Sequence, residues 1–291
     1  MARRVLFVLI ATLAGALVVH AAQRSQATKD IKVDVDLVMV NASVTDSENH
    51  SVNDLTAERF QIWEDKVEQK IQYFSTDDAP LSVGIIFDFS QSMETKIDVA
   101  KAAATTFLQM GTPEDEYFLV KFSSNASIAE NFTTSISRLR NQLSFVPAAG
   151  NTAMYDAMYL GLNQVKSGRN PRKALLLITD GGDNYSRYSR RDLNELVRES
   201  DAQIYTISFG SGSASNLSEI SGGRFYRASK ENIEEICRKV AFDMKNQYVL
   251  GYASTNSARD GKWRKILVKT TNFAGESKLY VRAKSGYYGQ Y

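Results

Sequence analysis

Between Leu81 and Lys245 the chain alternates short, mostly apolar runs with stretches whose apolar residues recur at helical spacing, and this rhythm restricts the fold most. Runs such as Ser82-Val-Gly-Ile-Ile-Phe87 and Lys173-Ala-Leu-Leu-Leu-Ile-Thr179 have almost no polar face, so strands built from them must be covered on both sides. Strands of that kind separated by helices pair in parallel through crossover connections. The spacing predicts helices over 97–108, where Lys101 interrupts the apolar face, and over 134–145, 154–165, 192–200 and 232–245. Further strands are expected at 117–122, 203–209 and 224–227, with a short turn at 217–220. The expected fold class is α/β, a doubly wound, mostly parallel sheet with helices on both faces.

The flanks read differently. Ile31, Val33, Val35 and Leu37 alternate with polar residues, then the phase slips and Val38, Val40, Ala42 and Val44 continue it, as in a long strand bulged near Leu37. Residues 46–50 have turn chemistry, Thr56-Ala-Glu-Arg starts a helical turn, and 60–63 and 67–74 read as strands joined through Glu64-Asp65-Lys66. After Asn246 come strands at 248–252, 263–270 and 278–284, with turns at Asp260-Gly261 and 272–275. In the last strand Leu279, Val281 and Ala283 are expected inward, and Lys278, Tyr280, Arg282 and Lys284 outward. Neither flank is long enough for a core of its own, so 31–79 and 247–291 are expected to form one β subdomain with the α/β domain, 80–246, inserted between them.

The N-terminus reads as a targeting segment. Arg3 and Arg4 precede an apolar run, and Val19-His20-Ala21 offers small residues at the cleavage positions, the pattern of a secretory signal peptide over 1–21. The run is shorter than the ~20 residues of a membrane span, and residues 22–30 form a polar, flexible lead-in. The expected location is therefore outside the cytoplasm, in the periplasm, at the surface or beyond, with no membrane span after cleavage. Of 35 basic residues the leader takes two, leaving 33 against 33 acidic ones, and no basic block points to nucleic acid.

Composition removes several kinds of chemistry. At 291 residues, 43% hydrophobic and 23% charged, the chain is ordinary globular material. A single cysteine, Cys237, excludes an intrachain disulfide, and it falls on a helical face with Ile233, Ile236 and Val240, as a small buried residue would. With His20 and His50 the only imidazoles, a Cys/His zinc site cannot be assembled, and a Ser-His-Asp triad would need a loop histidine. No Gly-x-x-x-x-Gly-Lys-Ser/Thr phosphate loop is present.

Ligands of open α/β sheets gather at the carboxyl ends of the strands. The strand at 82–87 runs into Asp88-Phe-Ser90-Gln-Ser92, the one at 173–179 runs into Asp180-Gly-Gly-Asp183, and Gly150-Asn-Thr152 precedes a helix between them. Two carboxylates and three hydroxyls make an all-oxygen set, suited to a hard cation such as Mg²⁺, with Mn²⁺ or Ca²⁺ as alternatives. Each residue also has a plainer reading as a helix cap or turn former.

Asp88-x-Ser90-x-Ser92, Thr152 and Asp180-Gly, in this order after two apolar strands, resemble the von Willebrand factor A-type domain and look like its metal-ion-dependent adhesion site. The resemblance covers roughly 81–245. The flanks, with Glu64-Asp65, Gln247-Tyr-Val-Leu-Gly-Tyr252 and Gly286-Tyr-Tyr288, look like the related domain of acidobacterial secreted proteins. It implies that Ser90 and Ser92 ligate the metal directly, Thr152 directly or through water, and Asp88 and Asp180 largely through water. It further implies a partner protein presenting an Asp or Glu that completes the metal's coordination, and a helix at 232–245 that shifts with occupancy.

Asp183 and Asn184 stand either behind the site or in a solvated turn, and Asp156 early in its helix suits the helix dipole. Tyr185 and Tyr188, with Arg187, Arg190 and Arg191, either rim a binding face or form ordinary exposed loop. No general base or activated nucleophile is evident, so a binding module rather than an enzyme is expected. Two alternatives stand beside it. One is a metal-independent scaffold of the cell envelope, the other a Mg²⁺-dependent phosphohydrolase with Asp88 as nucleophile, although such enzymes usually carry a second Asp where this chain has Ser90.

Overall fold

Period-two burial defines the first strand. In β1 (Leu37–Thr45), Val40, Ala42 and Val44 are buried while Leu37 and Met39 face solvent, the second phase of the alternation in the sequence. The computed structural model describes residues 37–76, 79–144, 146–210, 214–271 and 277–290. The expected leader 1–21, the lead-in 22–30, the earlier part of this strand and the turn at 272–275 lie outside the described residues.

A 3-10 turn (Ala57–Arg59) leads into β2 (Phe60–Glu64), and Asp65 and Lys66, at φ of 47° and 74°, reverse the chain into β3 (Val67–Gln69). Two successive positive φ angles give the hairpin turn whose twist suits paired strands. The single strand expected over 67–74 is divided at Lys70. β3 stays beside β2, whereas β4 (Ile71–Ser75) crosses to another sheet.

β5 (Leu81–Asp88) is buried at every residue, as its apolar sequence requires of a central parallel strand. It leads through α1 (Ile97–Gln109) to β6 (Glu116–Phe122), and β7 (Ala126–Thr133) returns antiparallel as an edge strand. Then come α2 (Ile136–Ser144), α3 (Met154–Val165), β8 (Arg172–Thr179), α4 (Arg190–Glu199), β9 (Gln203–Ser208), α5 (Ser215–Ser221), β10 (Phe225–Arg227) and α6 (Ile233–Lys245). The sheet has six strands in the order β10-β9-β8-β5-β6-β7, parallel except for β7. Helices α1, α2 and α6 pack on one face, α3, α4 and α5 on the other. Lys101, the polar intruder of α1, sends its ammonium to the Val146 carbonyl at 2.8 Å, so its stem packs while its charge stays bonded.

The chain then returns to β structure in β11 (Tyr248–Ala253), β12 (Trp263–Thr270), β13 (Tyr280–Ala283) and β14 (Gly286–Tyr288). Two four-stranded sheets result, β13-β1-β11-β4 and β14-β12-β2-β3, each built from both ends of the chain. Val40, Ala42, Ile62, Leu250, Tyr252, Ile266 and Val268 fill the core between them. Leu279, Val281 and Ala283 pack onto that core and Tyr280 is exposed, but Arg282 and Lys284, expected outward, are partly buried, Lys284 reaching Asp201 at 3.1 Å. Glu64 is also buried there, accepting from the Tyr252 and Tyr287 hydroxyls at 2.8 Å each and from Ser254 at 2.6 Å, with Arg264 3.8 Å away.

This β subdomain is bonded to the α/β domain at several points. Ser51 Oγ donates to Asp243 Oδ1 of α6 at 2.6 Å, Ser285 N to the Ile220 carbonyl at 3.1 Å, and Tyr288 OH to Glu195 Oε2 of α4 at 2.7 Å. Among the described residues no helix is long and apolar enough to cross a membrane.

Candidate functional site

Parallel pairing of β5 with β8 places the carboxyl ends of the two strands side by side, so the loops after Asp88 and Thr179 meet. Asp88 is fully buried. Its Oδ1 accepts the Ser90 amide at 2.8 Å and its Oδ2 the Thr179 hydroxyl at 2.6 Å. Burial pushes the Asp88 carboxyl up, the bonds from Ser90 and Thr179 pull it down, and the negative charge of Asp180 raises it further, with a net upward direction.

Ser92 Oγ donates to Asp180 Oδ1 at 2.7 Å and lies 3.1 Å from Ser90 Oγ. The Ser92 proton goes to the carboxylate, and the Ser90 hydroxyl stands between Ser92 and Asp88. Asp88, Ser90 and Asp180 are buried, and Ser92 is exposed, so this oxygen cluster has one open side.

Thr152 stands in the adjoining loop, placed by backbone bonds. Gly150, at φ 85°, turns its carbonyl to accept the Gln91 amide at 3.0 Å, and Ala149 N donates to the Phe89 carbonyl at 2.8 Å. On the other side Thr152 N donates to Asn184 Oδ1 at 2.8 Å and Asn184 N returns to the Thr152 carbonyl at 3.0 Å. Three separated stretches of chain are thereby tied pairwise. The structure joins Asp88, Ser90, Ser92 and Asp180 through side-chain bonds and sets buried Thr152 in the neighbouring loop.

Of the residues read as rim or support, Asn184 clamps the Thr152 loop. Asp183 accepts the Tyr155 amide at 3.1 Å in the first turn of α3 and a short bond from the Ser186 hydroxyl. Asp156 anchors the third loop, its Oδ1 taking the Arg187 and Tyr188 amides at 2.9 and 3.1 Å and its Oδ2 the Arg187 guanidinium at 3.1 Å. Tyr188 stacks on Tyr159 with ring centroids 3.8 Å apart, and Tyr185 is exposed. Gly210 lies against the Asp180 backbone so closely that an added Cβ would stand 1.8 Å from its carbonyl oxygen.

Two residues of the site escape a reading of the motif alone. Thr179, the last residue of β8, orients Asp88. Lys96 sends its ammonium to Asp180 Oδ2 at 2.5 Å and to the Ser92 carbonyl at 3.3 Å. Lys96 is the N-cap of α1 and makes no side-chain capping bond there. A cation at that helix end is electrostatically unfavourable, and the Asp180 carboxylate offsets it. Among the described residues no three His, Cys, Asp or Glu side chains are grouped so as to hold a metal ion.

The open, mostly parallel sheet with an oxygen-lined cleft where β5 and β8 end has its candidate site where ligands of doubly wound α/β sheets gather. Residues 83–182 match the family model of the von Willebrand factor type A domain. Among solved structures, von Willebrand factor type A from Catenulispora acidiphila aligns with a TM-score of 0.53 at 12% identity, over 88% of this chain and 74% of that one. Proximal thread matrix protein 1 from the mussel byssus, with a zinc-occupied MIDAS motif, aligns with a TM-score of 0.52 at 18% identity, over 62% of this chain and 49% of its own. The PilB minor pilin from Streptococcus sanguinis aligns with a TM-score of 0.48 at 14% identity over 59% of this chain, which spans 63% of the pilin's length. At these identities the likeness is one of fold. Comparison with curated proteins gives no match.

Proposed function

We propose that this chain is an exported protein-binding module that captures an acidic side chain of a partner through a divalent cation held at Asp88, Ser90, Ser92, Thr152 and Asp180. The observation that carries the reading is the hydrogen-bonded cluster of Ser90, Ser92 and Asp180 oxygens above buried Asp88, with one side open. Its donor set fits a hard cation, for it is all oxygen, and Mg²⁺ is the first choice, with Mn²⁺ or Ca²⁺ able to replace it. The zinc-occupied MIDAS motif of the byssus protein supports a divalent ion in a domain of this fold.

When bound, such an ion supplies a Lewis-acidic position that an outside carboxylate can fill. The chain's own residues do the rest. Ser90, Ser92 and Thr152 contribute neutral oxygens that leave the ion most of its charge, while Asp88, held by Thr179 and the Ser90 amide, supplies buried negative potential beneath it. Asp183, Asn184 and Asp156 fix the loops that carry Thr152, Tyr185 and Tyr188, and those two tyrosines form part of the contact rim. Binding rather than turnover is supported at Asp88, since both of its oxygens are engaged and it has no exposed surface for attack on a substrate.

Isothermal titration of the chain with Mg²⁺ and with Mn²⁺ tests this reading. Saturable binding at millimolar or lower concentration, lost in Asp180→Ala, is expected. Absence of binding, or binding unchanged in Asp180→Ala, overturns it. Pull-down from an envelope fraction with and without EDTA then identifies the partner, and capture insensitive to EDTA favours the scaffold alternative.

A further inference from the structure

We infer that Lys96 is the counter-ion of the metal-free site and competes with the divalent cation for Asp180, so that the site carries its own internal cation. This rests on the metal-binding reading above. The Asp180 side chain is only 4% exposed, and a carboxylate so placed requires a compensating charge. Lys96 provides it at 2.5 Å, with its side chain 27% exposed, so the ammonium lies at the mouth of the cleft with a path back to solvent.

Three features argue that this pairing belongs to the site rather than to the helix that bears Lys96. The residue stands at the N-cap of α1, the helix end where positive charge is disfavoured. Its second bond goes to the Ser92 carbonyl, inside the Asp88-x-Ser90-x-Ser92 loop. Asp180 has its other oxygen on the Ser92 hydroxyl, so ammonium and hydroxyl together occupy both carboxylate oxygens. A divalent ion approaching Asp180 and Ser92 meets a positive charge at hydrogen-bond distance from the same carboxylate, and like charges at such range repel strongly in a partly desolvated cleft. Lys96 must therefore swing outward as the ion enters. The device lets the chain fold without metal, because Asp180 is never left unpaired, and it sets metal affinity below what the oxygen set alone would give.

The test measures Mn²⁺ affinity by electron paramagnetic resonance on the full chain, for wild type, Lys96→Met, Lys96→Arg and Asp180→Ala, with thermal denaturation of each in EDTA and in saturating Mn²⁺. Lys96→Met is expected to bind Mn²⁺ ~2- to 5-fold more tightly than wild type, the fold-change equivalent of one solvent-accessible ion pair. It is also expected to melt lower than wild type in EDTA and to gain more from Mn²⁺. Lys96→Arg, which keeps the charge, is expected to stay near wild type. Equal Mn²⁺ affinity and equal metal-induced stabilisation in wild type and Lys96→Met, with binding still lost in Asp180→Ala, overturns the competition and leaves the metal site standing. Tightening in Lys96→Arg as large as in Lys96→Met also overturns it. No Mn²⁺ binding in wild type or in Lys96→Met removes the metal reading and this inference together.

Discussion

Asn184 and Thr152 bind each other twice, the Thr152 amide donating to Asn184 Oδ1 at 2.8 Å and the Asn184 amide to the Thr152 carbonyl at 3.0 Å. The loop that carries Thr152 is thus positioned from the loop that follows Asp180. Asn184→Ala removes the side-chain half of the clamp and is expected to cost ~1 kcal/mol of stability, the net worth of one hydrogen bond. It should also weaken Mn²⁺ binding by severalfold without abolishing it. Chemical denaturation and metal titration of the same variant check both.

Asp156 holds the opposite end of that loop through the Arg187 and Tyr188 amides. Asp156→Ala leaves these amides without their acceptor and is expected to destabilise the chain by ~1–3 kcal/mol. Faster hydrogen exchange at Arg187 and Tyr188 than in wild type, with the protection of β5 and β8 retained, is the expected signature.

Elements whose burial is uniform were the most legible in the sequence. β5 and β8 are runs of Val, Ile, Leu and Phe stopped by an acid or a hydroxyl, so their ends, and with them Asp88 and Asp180, could be placed from composition alone. β7 gave no such signal. Its Ala-Ser-Ile-Ala-Glu-Asn-Phe-Thr is an edge strand with one covered side, and it reads as loop until its antiparallel pairing with β6 is seen. The division at Lys70 was hidden because 67–74 has strand-forming residues throughout, and only pairing with two different sheets separates β3 from β4. In the site, the motif named the oxygens, but a contact between Lys96 and Asp180 depends on tertiary approach that periodicity does not encode.

Glu64 is the polar centre of the β subdomain, 2% exposed in its side chain and 3.8 Å from equally enclosed Arg264. Glu64→Ala leaves the hydroxyls of Tyr252 and Tyr287 without their acceptor, while Arg264 keeps the Asn256 and Ala258 carbonyls, and is expected to cost ~1–3 kcal/mol. Equilibrium unfolding in urea checks this, and a loss below ~1 kcal/mol would mean that water replaces the carboxylate.

Cys237 is buried on α6, and desolvation pushes its thiol up to about 12. The native thiol is therefore expected to resist a thiol reagent such as dithionitrobenzoate at pH 8 and to react in full once the chain is unfolded. The linkage has a definite sign. The folded state holds this proton more tightly than the unfolded one, so the contribution to stability is complete below the unfolded thiol pKa of ~8.5 and is lost as pH rises toward 12.

Asp88, Ser90, Ser92, Thr152 and Asp180 are proposed to surround one divalent cation. A crystal of the full chain soaked in Mn²⁺, with diffraction recorded at the manganese absorption edge, tests it most directly. An anomalous peak among these five side chains is expected, with the Lys96 ammonium withdrawn from Asp180. A map without a peak there, and with Lys96 still bonded to Asp180, would contradict it.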